Sequence, residues 1–61
     1  MILLTPQEIA ETLKISYEKA LDFIKYSGIP YIQIGRQYRV EETKLVSFLQ
    51  KNSYINITPD I

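Results

Sequence analysis

Apolar residues recur along this chain with two different periods. From Pro6 onward, Ile9, Ala10 and Leu13 fall three and four positions apart with Glu8, Glu11 and Thr12 between them, which is the spacing of a short amphipathic helix. Thr5-Pro6-Gln7-Glu8 supplies its start. A threonine before the first turn accepts a backbone N–H, a glutamate three residues on reaches back to the cap amide, and proline at the first helical position gives up no needed donor. Lys14-Ile15-Ser16 interrupts the pattern, and Ser16 then caps a second helix from Tyr17 to about Ser27 that Gly28 ends. Ala20, Phe23, Ile24 and Ser27 share its inward face, leaving Tyr17, Glu18, Lys19, Asp22, Lys25 and Tyr26 outward or on the flanks. So short a connection reads as a helix-turn-helix, with Ile15 and the small Ala20 expected to hold the two helices together.

After Gly28 the period becomes alternating. Ile32 and Ile34 on one strand and Tyr38 and Val40 on the next are expected to face inward, with Gln33 and Arg39 pointing the other way and Gly35-Arg36-Gln37 as the turn. Pro30 stands at the start of the first strand, where a missing donor is tolerated. The expected product is a half-buried hairpin with Arg36, Gln37 and Arg39 on its wet side. A third helix follows: Glu41-Glu42-Thr43 suits the positive end of its dipole, Leu45, Val46, Phe48 and Leu49 form its inward stripe, and Lys51-Asn52 closes it. The remaining SYINITPDI carries Tyr54, Ile55 and Ile57 in alternation with no helical period. Residues 1–52 therefore read as one domain and 53–61 as a tail, flexible or partner-binding.

Composition narrows the function. A chain of 61 residues makes one domain that buries only about 60% of the surface its unfolded form exposes. It has no cysteine and no histidine, which removes disulfides, thiolate or imidazole metal sites, a cysteine nucleophile and the commonest neutral-pH acid–base group. Catalysis is not expected, and Glu41-Glu42 reads as a helix start rather than a catalytic pair. The opening MILL has no basic region before it and is broken by Thr5 and Pro6, so neither a leader nor a membrane span is expected. Seven basic and seven acidic side chains cancel to a formal net charge of zero, so a nucleic-acid partner would have to be met by a local patch.

The runs LLTPQEIAETLKIS, IKYSG, IPYIQIGRQYRV and ETKLVSFLQKN, in that order, resemble the excisionase and MerR-like winged helix-turn-helix family, and the likeness covers Leu3 to about Asn52. The order of elements together with the I-x-x-G-I-P-x-I-x-I-G-R-x-Y-R-V hairpin is its most specific part. The resemblance implies a mainly α fold with a small β-hairpin, a winged helix-turn-helix in which two helices, the hairpin wing and a third helix follow in order. It implies double-stranded DNA as the partner, with the second helix in the major groove through Tyr17, Glu18, Lys19, Asp22 and Lys25, and the wing contacting DNA through Arg36, Gln37 and Arg39. Small modules of this kind resemble excisionases, which bind repeated sites, bend DNA and assist a partner integrase; others serve as transcriptional regulators. The likeness also implies a cytoplasmic protein of a bacterium or phage, self-association on DNA, no cofactor and no membrane. MerR-type regulators carry a dimerising helix and an effector domain beyond this module, so a small-molecule ligand is not expected.

Two features of the residues temper that reading. Glu18 and Asp22 stand on the would-be recognition face and are repelled by phosphate, although a carboxylate also accepts from cytosine N4. A rival from another class is a protein-interaction module with little affinity for DNA, in which the acidic faces and the Ile55/Ile57 tail meet a partner protein. The cationic side chains favour contact with DNA because a phosphate senses charges within a screening length of about 8 Å, not the net charge of the molecule.

Overall fold

The computed structural model describes residues 1–59. It contains strand β1 (Leu3–Leu4), helices α1 (Pro6–Leu13) and α2 (Tyr17–Tyr26), strands β2 (Ile32–Ile34) and β3 (Gln37–Glu41), and helix α3 (Glu42–Lys51). The three strands form one antiparallel sheet in the order β1-β3-β2.

Local chemistry sets the helix boundaries. Thr5 Oγ1 accepts the Glu8 N–H at 3.0 Å while the Thr5 N–H donates to Glu8 Oε1 at 2.9 Å, so α1 begins in a complete capping box with Pro6 in its first turn. It ends at Lys14, whose backbone is left-handed at φ 58°, and the N–H groups of Lys14 and Ile15 both reach the Ala10 carbonyl. This cap is usually glycine, because a Cβ in that conformation crowds the following carbonyl. Two residues later Ser16 accepts the Lys19 N–H at 3.2 Å and α2 starts. Gly28, at φ 92°, follows the Ser27 cap and turns the chain toward Ile29.

The core lies where these elements converge. Ile9 and Ala10 of α1, Ala20, Phe23 and Ile24 of α2, Ile29, Val40 of β3 and Leu45 of α3 are buried together. Phe23 meets Phe48 of α3 edge to face, ring centres 5.9 Å apart. Ala20 is fully buried and Ile15 packs half-buried beside it in the same cluster, as the helix-turn-helix spacing requires. Ile29, in the link after Gly28, is a core residue that the alternating pattern did not single out. Strand β1 was likewise not anticipated; it pairs with β3, Leu3 opposite Glu41 and Leu4 opposite Val40.

The hairpin departs from expectation by one residue. Its loop is Gly35-Arg36 alone, with Gly35 at φ 62° in the first central position and Gln33 Nε2 donating to the Gly35 carbonyl at 3.0 Å. A three-residue loop would have set Ile34 against Tyr38 and Ile32 against Val40. The two-residue loop instead pairs Ile34 with Gln37, Gln33 with Tyr38 and Ile32 with Arg39. Residues directly opposite share a face, so this shift sends Ile32 and Ile34 to the solvent side and leaves Gln33 on the side of Tyr38. Ile34 is accordingly 69% exposed and β2 is exposed along its whole length. One other expectation is corrected. Val46, placed in the inward stripe of α3, is 48% exposed, and the inward face is Leu45, Phe48 and Leu49. Ile55 and Ile57, after α3, pack half-buried against the core.

Helix α3 starts at a junction between sheet and helix. Glu41 accepts the Thr43 N–H at 3.0 Å and the Thr43 hydroxyl as well, and the Glu42 N–H donates to the Ile2 carbonyl at 2.9 Å. The Thr43 hydroxyl and then the Thr43 N–H hold the Glu41 carboxyl below its ordinary pKa of 4.5, helped by Lys44. A carboxylate lowered in this way adds stability that is present above pH 4.5 and is lost as pH falls through the lower folded value. Urea midpoints of the wild type and Glu41→Gln are expected to differ at neutral pH and to converge in acid. A gap that is constant with pH would remove the carboxylate from this role.

The left-handed positions give a test with two signs. Lys14→Gly relieves a crowded Cβ and should raise stability by about 0.5–1 kcal/mol after the entropy glycine costs the folded state. Gly35→Ala meets no atom within 4 Å yet imposes the same crowding, and should lower stability by about 1 kcal/mol. Thermal or urea unfolding reads both.

Candidate nucleic-acid interface

The outward side of α2 is a graded surface. Each residue advances about 100° around a helix, which places Glu18, Asp22 and Lys25 in the middle of the side opposite Ala20, Phe23 and Ile24. Tyr17 and Lys19 lie on opposite flanks, about 160° apart. The five side chains expected to act together therefore form a central trio with one residue to either side. Glu18, Lys19, Lys25 and Tyr17 are exposed and Asp22 is half-buried. Leu21, half-buried, lies between Tyr17 and Lys25 in an i, i+4 row that sequence reading passed over.

That row leads to the hairpin. Lys25 Nζ sits 5.6 Å from the centre of the Tyr38 ring, within cation–π reach, and Tyr38 in turn packs against Tyr31 with ring centres 5.8 Å apart. The contact joins the C-terminal end of the outward α2 face to the inner side of the wing. Tyr38, expected to face inward, also carries this junction.

The three wing residues occupy different places. Arg36 is at the tip, one of the two loop residues, and exposed. Gln37 and Arg39 alternate away from Tyr38 onto the outer side of the hairpin, facing away from α2. Arg39 is held there: Nη1 donates to the Tyr38 carbonyl at 2.7 Å and Nη2 to Gln37 Oε1 at 2.9 Å. Its remaining N–H donors are left for another acceptor. Glu8 and Glu11 of α1 are exposed and belong to a different helix from Lys19 and Lys25. Among the described residues, no group of three or more acidic side chains is placed to hold a metal, and no helix is long and apolar enough to cross a membrane.

The model of a helix-turn-helix domain family matches residues 3–53 of this chain. The chain belongs to that helix-turn-helix domain family. It is a DNA-binding family that includes excisionase-like proteins. The matched span runs from β1 through α3, so the helix-turn-helix and the wing are both parts of one family domain. No curated protein and no solved structure gave a significant match.

The Lys25–Tyr38 contact is measurable. Lys25→Met, which keeps the aliphatic stem, should cost about 0.5–1 kcal/mol in wild type and nearly nothing in a Tyr38→Leu background. Equal costs in both backgrounds would show that Lys25 acts without the ring.

Proposed function

We propose that this chain is a sequence-specific DNA-binding accessory protein of the excisionase type, which binds repeated sites, distorts the duplex and so assists a partner integrase in the cytoplasm of a bacterium. The observation that carries the DNA reading is the junction of α2 with the wing: the Lys25–Tyr38 contact makes the outward face of the second helix and the Arg36 hairpin neighbouring parts of one surface. In this reading Glu18, Lys19 and Asp22 meet base edges, Tyr17 and Lys25 meet phosphates, and Arg36 at the tip reaches the backbone or a narrow minor groove beside it. Gln37 and Arg39 flank the tip and steady it. The excisionase role itself rests on the likeness of the hairpin motif. A small MerR-like transcriptional regulator would use the same surface and differ in where its sites lie, at a promoter instead of an attachment site.

One observation favours a different class. Glu18 and Asp22 occupy the middle of the outward α2 face, a poor arrangement against phosphate and a workable one against a basic protein.

Fluorescence anisotropy with a mixed-sequence duplex, titrated at several salt concentrations, separates the two. DNA binding through this surface should give an affinity whose logarithm falls linearly with log salt, at a slope matching about three or four phosphates. Arg36→Ala should weaken binding to all sequences and make the slope shallower by about one, whereas Glu18→Ala or Lys19→Ala should change sequence preference. A folded protein that binds no duplex at low salt would overturn the DNA reading and favour the protein-interaction module, whose own signature is a tight partner complex.

A further inference from the structure

The two-residue hairpin loop gives the sheet a second face with its own character. Opposite residues share a side, so the outer face carries Ile34 beside Gln37, Ile32 beside Arg39, and Leu3 beside Glu41. Met1, Leu3, Ile32 and Ile34 are exposed there, from 41% to 97%. Together they present an apolar area on the order of 400 Å², within the range of the largest patch on a typical monomer. Scattered apolar side chains need no explanation, but this many gathered on one side of a sheet do. The face also contains a depression of about 170 Å³ lined by Met1, Pro30, Tyr31, Ile32, Glu41 and Lys44.

We propose that this outer face docks a second copy of the chain in a two-fold dimer, with the exposed Ile34 of each copy covered by the other. The charges select a second copy as the occupant. Arg39 and Glu41 are neighbours on the same side of the central strand, about 7 Å apart along it. Two sheets packed face to face, with their β3 strands antiparallel and the two-fold axis beside Val40, bring Arg39 of each copy over Glu41 of the other. A pair of opposite charges arranged in this way is complementary to itself, as an isologous interface demands. Arg39 is already oriented by its bonds to Tyr38 and Gln37, which reduces the ordering cost of a new ion pair. The patch is well below the about 800 Å² per partner of a standard stable interface, so the dimer is expected to be a weak one. The association needs no DNA and stands apart from the DNA-binding reading.

Sedimentation velocity on the purified full chain, without DNA, from about 1 μM to about 1 mM, tests the proposal. The mass is expected to double across that range. Ile34→Lys changes a residue that is already mostly solvated, so the fold should be retained by circular dichroism while the dimer weakens about tenfold or more. Arg39→Glu, which leaves the Glu41 cap of α3 in place, should also weaken self-association, because each copy then sets a carboxylate over Glu41 of the other. A wild type that stays monomeric at about 1 mM overturns the second copy as occupant. A dimer indifferent to Ile34→Lys or to Arg39→Glu overturns this face as the interface.

Discussion

Burial of Val40 is the constraint on which the rest of the structure depends. It is fully inaccessible, lies on the central strand, pairs with Leu4 of β1, and shares a face with Tyr38. A chain this short has room for one thin core, and Ile9, Ile24 and Val40 are the large side chains that close it completely. Once Val40 is fixed inward, strand alternation fixes Gln37, Arg39 and Glu41 outward. Glu41 then stands at the end of β3, where its carboxylate caps α3 through Thr43. The sheet, the third helix and the wing are therefore positioned by one inward side chain and the alternation around it.

The wing inherits its geometry from the same point. With Tyr38 inward, Lys25 at the end of α2 finds an aromatic face, and the second helix and the hairpin become one surface. The tip is left to Gly35 and Arg36, a glycine that accepts the turn and a cation that faces water. Of the acidic residues, Glu8 and Glu11 lie on α1 and Glu41 is engaged with Thr43, while Glu18 and Asp22 share the outward face of α2 with Lys25. A formal charge of zero is thus compatible with membership of a DNA-binding family, because the field near any one phosphate comes from side chains within about 8 Å.

Signals contained in a few adjacent residues were legible in the sequence. Thr5-Pro6-x-Glu8 encodes its capping box in four positions, Ser16 and Gly28 bracket α2, and Ala20, Phe23 and Ile24 fall inward at the period of a helix. The fold class followed from those elements together with the likeness of the hairpin motif. What depended on distant partners was less legible. Strand β1 is two residues long and exists because β3 is there to pair with it. Val46 satisfies the apolar spacing of α3, yet the core is too thin to reach around to it. The hairpin turned on one residue: GRQ and GR are both plausible loops, and the choice between them exchanges every side chain of β2 between core and solvent. Of the residues proposed to meet DNA, spacing identified the outward side of α2 and the cations of the wing. Their arrangement into a central trio, two flanks, a tip and an outer side required the register.

The exposed face of the sheet follows from the same arithmetic of size and period. Hydrophobic residues make up 46% of the chain, more than one thin core can enclose, and the surplus must appear somewhere on the surface. Helices disperse such a surplus around their circumference, as Val46 and Tyr26 show. A strand has only two sides. Alternation commits Tyr38 and Val40 to the core, and the two-residue loop then commits Ile32 and Ile34 to the other side, beside Leu3 and Met1. Had the loop been one residue longer, Ile32 and Ile34 would have turned inward and Gln33 outward, giving an ordinary wet hairpin. The turn that presents Arg36 at the tip is therefore the same turn that creates the apolar face behind it, and any change to its length would alter both surfaces together.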